Sequence, residues 1–457
     1  MGINNKSKFS MDMCSGSIAK KMFQFAIPLM FSGILQLLFN AADIIVVGNF
    51  AGDESLAAVG ATTSIINLLT TLFIGMSVGA NVLVANYIGA KKTVDLHKTV
   101  HTAMTLSVIC GLILTVIGLI GAPFVLKLMK TPDDVIELAV IYLRTYFMGM
   151  TAVMVYNFGS AILRAVGDTK RPLVFLMVAG IINVVLNLIF VVIFNWGVFG
   201  VGLATVISQV VSAILTTRCL IKEKSEIKLD VKNLTLDKNK LFRILQIGLP
   251  AGLQGMLFSL ANVFIQSSVN SFGTTVIAGN SASANVEGFA FTSMNAFHQA
   301  AISFTSQNVG ARKGERINKI LYTALTYAFV VGALFCVIYI SFGDKLIGLY
   351  TNSDSVIDAG VTRLTIIALS YVLAGMMDVV VGSLRGLGYS FVPMTVSVIG
   401  ICALRLVWLA TVFQIEQYHT IETIYYTYPL SWIVTLTAHL ASFVIIRKIV
   451  RKKWENE

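Results

Sequence analysis

Twelve long apolar runs follow one another along the 457-residue chain, and they restrict its possible folds more than any other feature. A helix needs about 20 mostly apolar residues to cross a bilayer, and each run is that long. Hydrophobic residues make up 56% of the chain and charged residues 12%, so a water-exposed surface could not cover the apolar side chains. We therefore predict an all-α polytopic membrane protein that lies in the lipid bilayer. The predicted spans are 23–50, 56–86, 99–126, 135–163, 172–194, 198–221, 243–271, 276–308, 320–343, 357–384, 391–414 and 424–446.

The 34 lysines and arginines give the chain a formal net charge of +11, but most of them lie in alternate loops between the predicted spans. Basic residues mark cytoplasmic loops. This pattern predicts a multi-pass protein of the plasma or inner membrane with both termini in the cytoplasm. The charge therefore reports topology, and we expect no nucleic-acid partner. We also expect the chain to act as a monomer. The five cysteines show no CxxC spacing, which argues against a disulfide framework or a zinc site.

An internal repeat divides the chain into two halves. Residues 88–98 (IGAKKTVDLHK) match residues 309–319 (VGARKGERINK) at an offset of 221. Further matches near this offset are TAMTL with TALTY, LMKTPDDVI with LYTNSDSVI, LRAVGDTKRP with LRGLGYSFVP, and Pro28 with Pro250. We predict two pseudo-symmetric six-helix lobes, 1–221 and 243–457, joined by a charged linker, 222–242. Because six is an even number, both lobes have the same orientation, as in transporters built from parallel repeats.

Two GxxxG pairs lie in predicted spans, Gly75 with Gly79 and Gly248 with Gly252. Small residues at this spacing allow helix backbones to approach closely. We interpret both pairs as packing sites.

Three acidic residues lie inside predicted spans: Asp43, Glu287 and Asp378. A carboxylate at the centre of a membrane helix costs about 2.5–3.5 kcal/mol on insertion scales, so each needs a cavity, a partner or a proton. These residues are therefore the first functional candidates.

Asp43 is the centre of a predicted ion site. Asn183 and Asn187 are four residues apart in the fifth span, and Thr205 lies in the sixth. Amide, hydroxyl and carboxylate oxygens are the ligands of hard cations. We predict that Asp43, Asn183, Asn187 and Thr205 bind a coupling ion, either a proton or sodium. The alternative is a hydrogen-bond network that only orders the helices.

The candidate substrate-binding residues are polar side chains within the spans. Glu287 lies on a helical stripe with Phe291, and a carboxylate beside aromatic rings suits a lipophilic cation. Asp378 could instead pair with the intramembrane Arg405, and the amides could be packing contacts between helices. The full set is Gln36, Asn40, Asn157, Gln254, Glu287, Asn295, His298 and Asp378.

No Walker A motif, nucleophile elbow or HExxH sequence occurs in the chain. We therefore expect neither an enzyme nor a bound cofactor, and transport would have to be driven by an ion gradient.

Several segments resemble the multidrug and toxic compound extrusion (MATE) family, within a plan of six plus six spans. They are LFNAADIIVVGNFAGDESLAAVG at 38–60, IGAKKTVDLHK at 88–98, LRAVGDTKRP at 163–172 and INVVLNLIFV at 182–191. The resemblance implies a V of two lobes that exports cationic drugs in exchange for protons or sodium.

The resemblance also assigns roles to single residues. It implies that Asp43, Asn183 and Thr205 belong to the family's ion site, and it places Asn187 where many members have a second acid. In the second lobe Asp378 takes the place of a tenth-span acid of some members. Their seventh-span Glu is absent here, and Glu287 lies one helix later.

We predict a secondary antiporter that exports amphipathic organic cations by alternating access. One alternative is a flippase for a lipid-linked precursor, from the same superfamily. A flippase would line its cavity with several Arg or Lys, and the sequence indicates Arg405 as the one clearly buried basic residue. Another alternative is a membrane-embedded enzyme that uses Asp378, His298 and Glu287, although their spacing matches no known catalytic arrangement.

Overall fold

The computed structural model describes residues 9–129 and 131–456, and within them every regular element is a helix. The predicted all-α fold is confirmed. The α-helices are α1 Ile18–Phe50, α2 Asp53–Gly89, α3 Thr93–Leu128, α4 Asp133–Met148, α5 Met150–Ala165, α6 Lys170–Asn187, α7 Gly197–Lys222, α8 Lys238–Asn270, α9 Thr274–Gly310, α10 Gly314–Gly348, α11 Asp354–Gly386, α12 Phe391–Ser397, α13 Leu404–Ala410, α14 Ile421–Tyr425 and α15 Thr427–Glu455.

These helices supply the twelve predicted spans. In the described part of the chain, ten continuous or briefly interrupted helices are long and apolar enough to cross a membrane, and the bent pair α4 and α5 makes an eleventh. The twelfth, α9, has 37 residues but carries many polar side chains along its length. Many of these polar side chains, including Glu287, His298 and Gln307, are buried where α9 packs against its neighbours, whereas Ser281 and Asn285 are exposed.

Interruptions within two spans fall close to residues of functional interest. A π-helical segment, Leu188–Ile193, follows α6 directly after Asn187, and a second one, Val398–Ala403, joins α12 to α13 just before Arg405. Such segments insert an extra residue into the helical ladder and often accompany functional sites. The bend of 44° between α4 and α5 falls at Gly149, whose counterpart in the continuous helix α11 is Ser370.

The internal repeat extends to the backbone. Helices α1 and α8 both have 33 residues, and α2 and α9 both have 37. Three turn positions with positive φ recur at the offset of 221 with nearly equal angles, and positive φ is uncommon outside glycine. They are Gly52 and Gly273 (86° and 88°), Lys91 and Arg312 (56° and 53°), and Gly167 and Gly388 (89° and 90°). The two halves therefore share one fold.

The chain forms two compact units, and the division between them passes through α1 and α8. The first unit contains Phe31–Met256 and the segment that ends at Asp12, and the second contains Met13–Met30 and the chain from Leu257 onward. The units thus differ from the predicted lobes, which divide at the linker 222–242. Each boundary lies a few residues after an intrahelical proline, Pro28 or Pro250. A proline removes a helical hydrogen bond and favours a change of direction.

In the first unit, α2 packs against α8 at the two GxxxG pairs. A Cβ atom added to Gly79 would lie 2.1 Å from the carbonyl oxygen of Ile244, and one added to Gly75 would lie 2.3 Å from Gly252. These approaches leave no room for a side chain, so the packing role predicted for the glycines is confirmed.

The linker after α7 is anchored on α3 in the first unit. The backbone N–H of Asp230 donates to Nε2 of His101 (3.0 Å), and the N–H of Asp237 donates to the hydroxyl of Thr102 (3.1 Å). The Asp230 carboxylate accepts a hydrogen bond from the backbone N–H of Lys232, and this bond lowers the pKa of that exposed carboxyl. The charged linker is thus an ordered part of the unit.

In the second unit, α9 packs between α10 and α11 through small and apolar residues. The segment before α1 docks at the end of α9, where the Asn308 amide donates to the carbonyl of Met13 (3.1 Å). The core residues shared by the three helices are Ala282, Val286, Ala290, Met294, Tyr339, Ile347, Leu364 and Ala368.

Large apolar side chains lie exposed along the outer helices of both units. On α3 they include Ile120, Phe124 and Leu128, each more than two-thirds exposed. Continuous apolar surface of this kind is incompatible with water and is suited to lipid. The predicted membrane location follows from this surface as well as from the sequence.

Candidate ion and substrate sites

The four predicted ion-site residues lie together in the first unit. They come from three helices: Asp43 from α1, Asn183 and Asn187 from α6, and Thr205 from α7. The Asn187 side-chain amide donates to the Asp43 carboxylate (2.5 Å) and to Oδ1 of the Asn183 side chain (3.3 Å). The Asn183 amide in turn donates to the Thr205 hydroxyl (3.4 Å). The spacing of Asn183 and Asn187 on α6 makes this arrangement possible, because residues four apart share one helix face.

In this cluster the Asn187 and Asn183 side chains both act as donors, and one amide oxygen is left without a donor. Asn187 is completely buried, and both of its hydrogen bonds use the amide nitrogen, so its Oδ1 atom has no hydrogen-bond partner among the described residues. Turning the amide over would bring that oxygen against the Asp43 carboxylate, which would be repulsive. A buried carbonyl oxygen without a donor costs free energy. A cation near Asp43 would relieve this cost.

The oxygens of this cluster fit a small hard cation or a proton. Asp43, Asn183, Asn187 and Thr205 offer carboxylate, amide and hydroxyl oxygens, which are ligands of hard cations. The cluster contains a single acid, and no group of three His, Cys, Asp or Glu residues that could hold a metal occurs in the described part of the chain. The cluster therefore carries at most one negative charge.

The other polar residues predicted in the first unit do not join this cluster. Gln36 and Asn40 are exposed on α1. Asn157 donates to the carbonyl of Val153 on its own helix (2.8 Å), and Gln254 is buried on α8. Gln36 and Asn40 share a helix face with Asp43, but they are more exposed than it is. A ligand could contact these two amides without disturbing the ion cluster.

Glu287 lies in a fully formed ion pair in the second unit. The Arg363 guanidinium on α11 donates from Nε to Oε1 (2.9 Å) and from Nη2 to Oε2 (2.8 Å) of Glu287 on α9. Its Nη1 donates to the Asn280 carbonyl oxygen (2.6 Å), and the guanidinium also lies over the Tyr425 ring (5.7 Å to the centroid). The two-pronged geometry is the strongest that an arginine and a carboxylate can form. The place beside Glu287 that the sequence suggested for an organic cation is thus filled by the protein's own cation.

Arg405 is buried in the same unit and pairs with no acidic side chain of the described residues. Its guanidinium lies over the ring of Tyr428 (4.0 Å) and near Trp432 (5.6 Å), and its Nε donates to the Ser431 hydroxyl (3.0 Å). Its Nη2 atom is buried with no hydrogen-bond partner. The pairing of Arg405 with Asp378 that the sequence allowed does not occur.

Asp378 and His298 meet where α11 crosses α9. The His298 Nδ1 atom lies 2.6 Å from the backbone carbonyl of Asp378, so it carries the hydrogen and donates. The Nε2 atom lies 3.5 Å from Nη1 of the buried Arg385. The Asp378 carboxylate has no ion-pair partner within the described residues. Of the two acids in the spans of this unit, Asp378 is therefore the one without an ion pair to a described residue, and Asn295 lies one turn from His298 on α9.

Sequence reasoning missed the buried arginines. Arg363, Arg385 and Arg405 are each at most 7% exposed, so the expectation that Arg405 is the one clearly buried basic residue was wrong. A signal was present, because Arg363 lies inside the predicted span 357–384. Its partner Glu287 is 76 positions away on another helix, and single-sequence patterns do not pair distant residues.

Comparisons with known proteins agree on one family. A family model described as MatE matches residues 28–189 and 250–410, one match in each repeat. The Bacillus subtilis protein named "Probable multidrug resistance protein YoeA" is 26% identical over 429 residues, which cover 92% of each chain. A solved structure of an outward-facing multidrug resistance transporter of the MATE family has a TM-score of 0.91 at 22% identity, over 98% of this chain and 100% of that one. A solved transporter of the MOP superfamily from Pyrococcus furiosus, described as having a binding pocket of reverse polarity, has a TM-score of 0.89 at 23% identity, over 98% and 99%.

Proposed function

Because the chain belongs to the MatE family of multidrug efflux transporters, we propose that it is a secondary antiporter that exports amphipathic organic cations in exchange for protons or sodium. The observation that carries this proposal is the buried cluster of Asp43 and Asn187, in which a carboxylate and an unpartnered amide oxygen lie next to each other. A site of this kind binds a single positive charge.

The proposed coupling step is neutralisation of Asp43. An incoming proton binds the carboxylate, or a sodium ion binds it together with the oxygens of Asn187, Asn183 and Thr205. Either event removes the negative charge that orients the Asn187 amide, and the hydrogen bonds along α6 and α7 are then free to rearrange. A ligand shifts a conformational equilibrium by its difference in affinity for the two states. Alternating access follows if the outward state holds the ion more weakly or more tightly than the inward state.

The proposed substrate contact in the second unit is Asp378. Glu287 is neutralised by Arg363, whereas Asp378 is half-buried and forms no ion pair with a described residue. His298, Asn295 and the exposed Phe291 lie along the facing helix α9. A carboxylate without an ion pair suits an organic cation through charge, and an exposed aromatic ring on the same unit suits it through cation–π contact. In the first unit the exposed amides of Gln36 and Asn40, together with Asn157 and Gln254, are the proposed polar contacts.

Proteoliposomes test this function directly. We expect a fluorescent lipophilic cation to accumulate in vesicles with an acidic lumen if protons are the coupling ion, or in vesicles with a sodium-loaded lumen if sodium is. Two controls are matched to this test. One uses the same vesicles without a gradient, and the other uses vesicles whose gradient is collapsed by an ionophore. If accumulation is the same without a gradient, with a proton gradient and with a sodium gradient, antiport is contradicted.

A second candidate function is transport of an anionic amphiphile, such as a lipid-linked precursor. The charge balance of the second unit favours it, because the buried residues Arg363, Arg385 and Arg405 outnumber the acids Glu287 and Asp378. An anionic amphiphile would be expected to bind near Arg405, whose Nη2 atom has no acceptor. If a headgroup-labelled anionic lipid crosses the vesicle membrane and the organic cation does not, this second function replaces the first. Loss of lipid transport in Arg405→Gln, with normal folding, would support it further.

We also propose that the chain works as a monomer in the cell membrane with both termini in the cytoplasm. The basic residues of the alternate loops support this orientation. A reporter enzyme that is active only in the cytoplasm, fused after residue 457, should be active. If a second reporter enzyme, one that is active only on the outer side of the membrane, is active at the same position, the C-terminus lies outside and the proposed orientation is wrong.

A further inference from the structure

A groove on the second unit lies between α10 and α15, away from the polar clusters described above. Its cavity has a volume of about 340 Å³. The residues that line it are Asn318, Leu321, Tyr322 and Leu325 from α10, and Leu440, Phe443, Val444, Arg447, Lys448 and Arg451 from α15.

The groove has two chemically distinct ends. Towards the middle of α10 and α15 its wall is apolar and includes Leu325, Leu440 and Phe443. Towards the end of α15 it carries the basic side chains of Arg447, Lys448 and Arg451, and no acidic side chain lines it. Arg451 also forms an exposed ion pair with Glu455 (2.8 Å), just outside the groove. An apolar slot that ends in positive charge matches a molecule with a hydrocarbon tail and an anionic head.

Arg447 at this basic end is not satisfied by the protein. Within the part of the chain that the structure describes, its Nε and Nη1 atoms are buried without hydrogen-bond partners, and its guanidinium lies over the Trp454 ring (5.5 Å to the centroid). A Cβ added to Gly314, the first residue of α10, would lie 2.6 Å from Nη2 of Arg447, so the guanidinium is held close to the start of that helix. The N-terminus of a helix is itself electropositive, which increases the demand for an anion here.

We propose that this groove binds one anionic phospholipid, from the leaflet on the side of the membrane where α15 ends. The phosphate accepts hydrogen bonds from Arg447 and ionic contact from Lys448 and Arg451, and an acyl chain lies along Leu325, Leu440 and Phe443. Basic pockets between transmembrane helices recognise anionic headgroups in this way. An organic cation would be repelled by the three positive charges, and free phosphate would leave the apolar wall unused.

The binding test uses the purified full-length protein and native mass spectrometry with phosphatidylglycerol or phosphatidylcholine. We expect phosphatidylglycerol to be retained and phosphatidylcholine to be lost. Each basic residue near an anionic lipid contributes about a factor of five, so the triple variant R447Q/K448Q/R451Q should bind phosphatidylglycerol about 100-fold more weakly. Equal retention of the two lipids, or unchanged binding by the triple variant, would overturn the proposal.

Two controls make the result specific. The triple variant K222Q/K224Q/K228Q removes the same charge from exposed lysines of the linker segment, and it should bind phosphatidylglycerol as the parent does. Glycerol phosphate, which has the head without the tails, should not compete. If it competes as well as the lipid, the site is an anion site and the lipid proposal is wrong. These lysines and arginines lie outside the proposed ion and substrate sites. Gradient-driven transport can therefore fail while lipid binding persists, and lipid binding can fail while transport persists, so the two proposals are tested separately.

Discussion

Asn187 donates a hydrogen bond to Asp43 across 144 positions of sequence, and in doing so it leaves its own carbonyl oxygen buried without a partner. The bond joins α6 to α1 inside the first unit. It fixes the direction of the whole donor chain through Asn183 to Thr205. A change in the charge of Asp43 would therefore reach three helices through a single amide.

Asn187→Ala should destabilise the first unit. The substitution removes the donor of Asp43, and a hydrogen bond to a charged group contributes about 1.5–3 kcal/mol to the free energy of unfolding. Thermal unfolding in detergent should show a lower midpoint. Asn49→Ala is the matched control, because the exposed Asn49 amide bonds only to the carbonyl of Ile45 on its own helix. Equal effects of the two changes would argue against a special role for Asn187.

Asn187→Asp should increase the effect of sodium. A second carboxylate would add negative charge and an oxygen ligand beside Asp43, and both features strengthen cation binding. We expect sodium to raise the unfolding midpoint of this variant more than that of the parent, because a ligand that binds the folded state stabilises it. Potassium at the same ionic strength is the control. If sodium and potassium act alike in the variant, the cluster does not form a sodium site.

The pair of Glu287 and Arg363 should show strong coupling. Removing one partner leaves a buried charge, so Glu287→Gln and Arg363→Gln should each lower the free energy of unfolding by about 3–5 kcal/mol. The double variant should lose much less than the sum, and a double-mutant cycle of unfolding free energies measures the difference. The exposed pair Arg451 and Glu455 is the control, where the coupling should be about 0–1 kcal/mol. Additive losses for the buried pair would contradict its geometry.

Gly79→Ala should loosen the contact between α2 and α8. The new methyl group would meet the carbonyl oxygen of Ile244, and overpacking of this kind costs about 1–3 kcal/mol. Gly121→Ala is the control, because a Cβ there meets nothing within 4 Å and alanine is the better helix former by up to about 1 kcal/mol. Unfolding midpoints of the two variants should move in opposite directions. A neutral Gly79→Ala would mean that the helices can separate without cost.

Much of the fold could be predicted because each membrane helix is visible in the sequence as a long apolar run. The apolar runs gave the spans, and the match of 88–98 with 309–319 gave the repeat, whose turns at Gly52 and Gly273 have nearly the same φ. Within lipid every backbone N–H and C=O group must be hydrogen-bonded inside the helix. An apolar run long enough to cross the bilayer is therefore predicted to be a helix. The division of α1 and α8 between the two units could not be read in this way, because Pro28 and Pro250 mark a weak point but not a packing partner.

The polar clusters could be predicted only in part, where a signal lies within a single helix. The spacing of Asn183 and Asn187 and the rarity of a membrane acid such as Asp43 pointed to residues that the structure brings together. The pairing of Glu287 with Arg363 was not visible, because it depends on how α9 and α11 pack. The charge of a buried residue is evident from the sequence, but its partner is set by tertiary contacts.

In the proposed cycle a cation bound at Asp43 drives export, and the most direct test separates ion coupling from passage of the substrate. Proteoliposomes containing Asp43→Asn should exchange a labelled organic cation for unlabelled cation at equilibrium, as the parent does. They should fail to concentrate it under a proton or a sodium gradient, whichever drives the parent. The exposed-site control Asp358→Asn should behave as the parent in both assays. Gradient-driven accumulation by Asp43→Asn at the level of the parent would contradict the account.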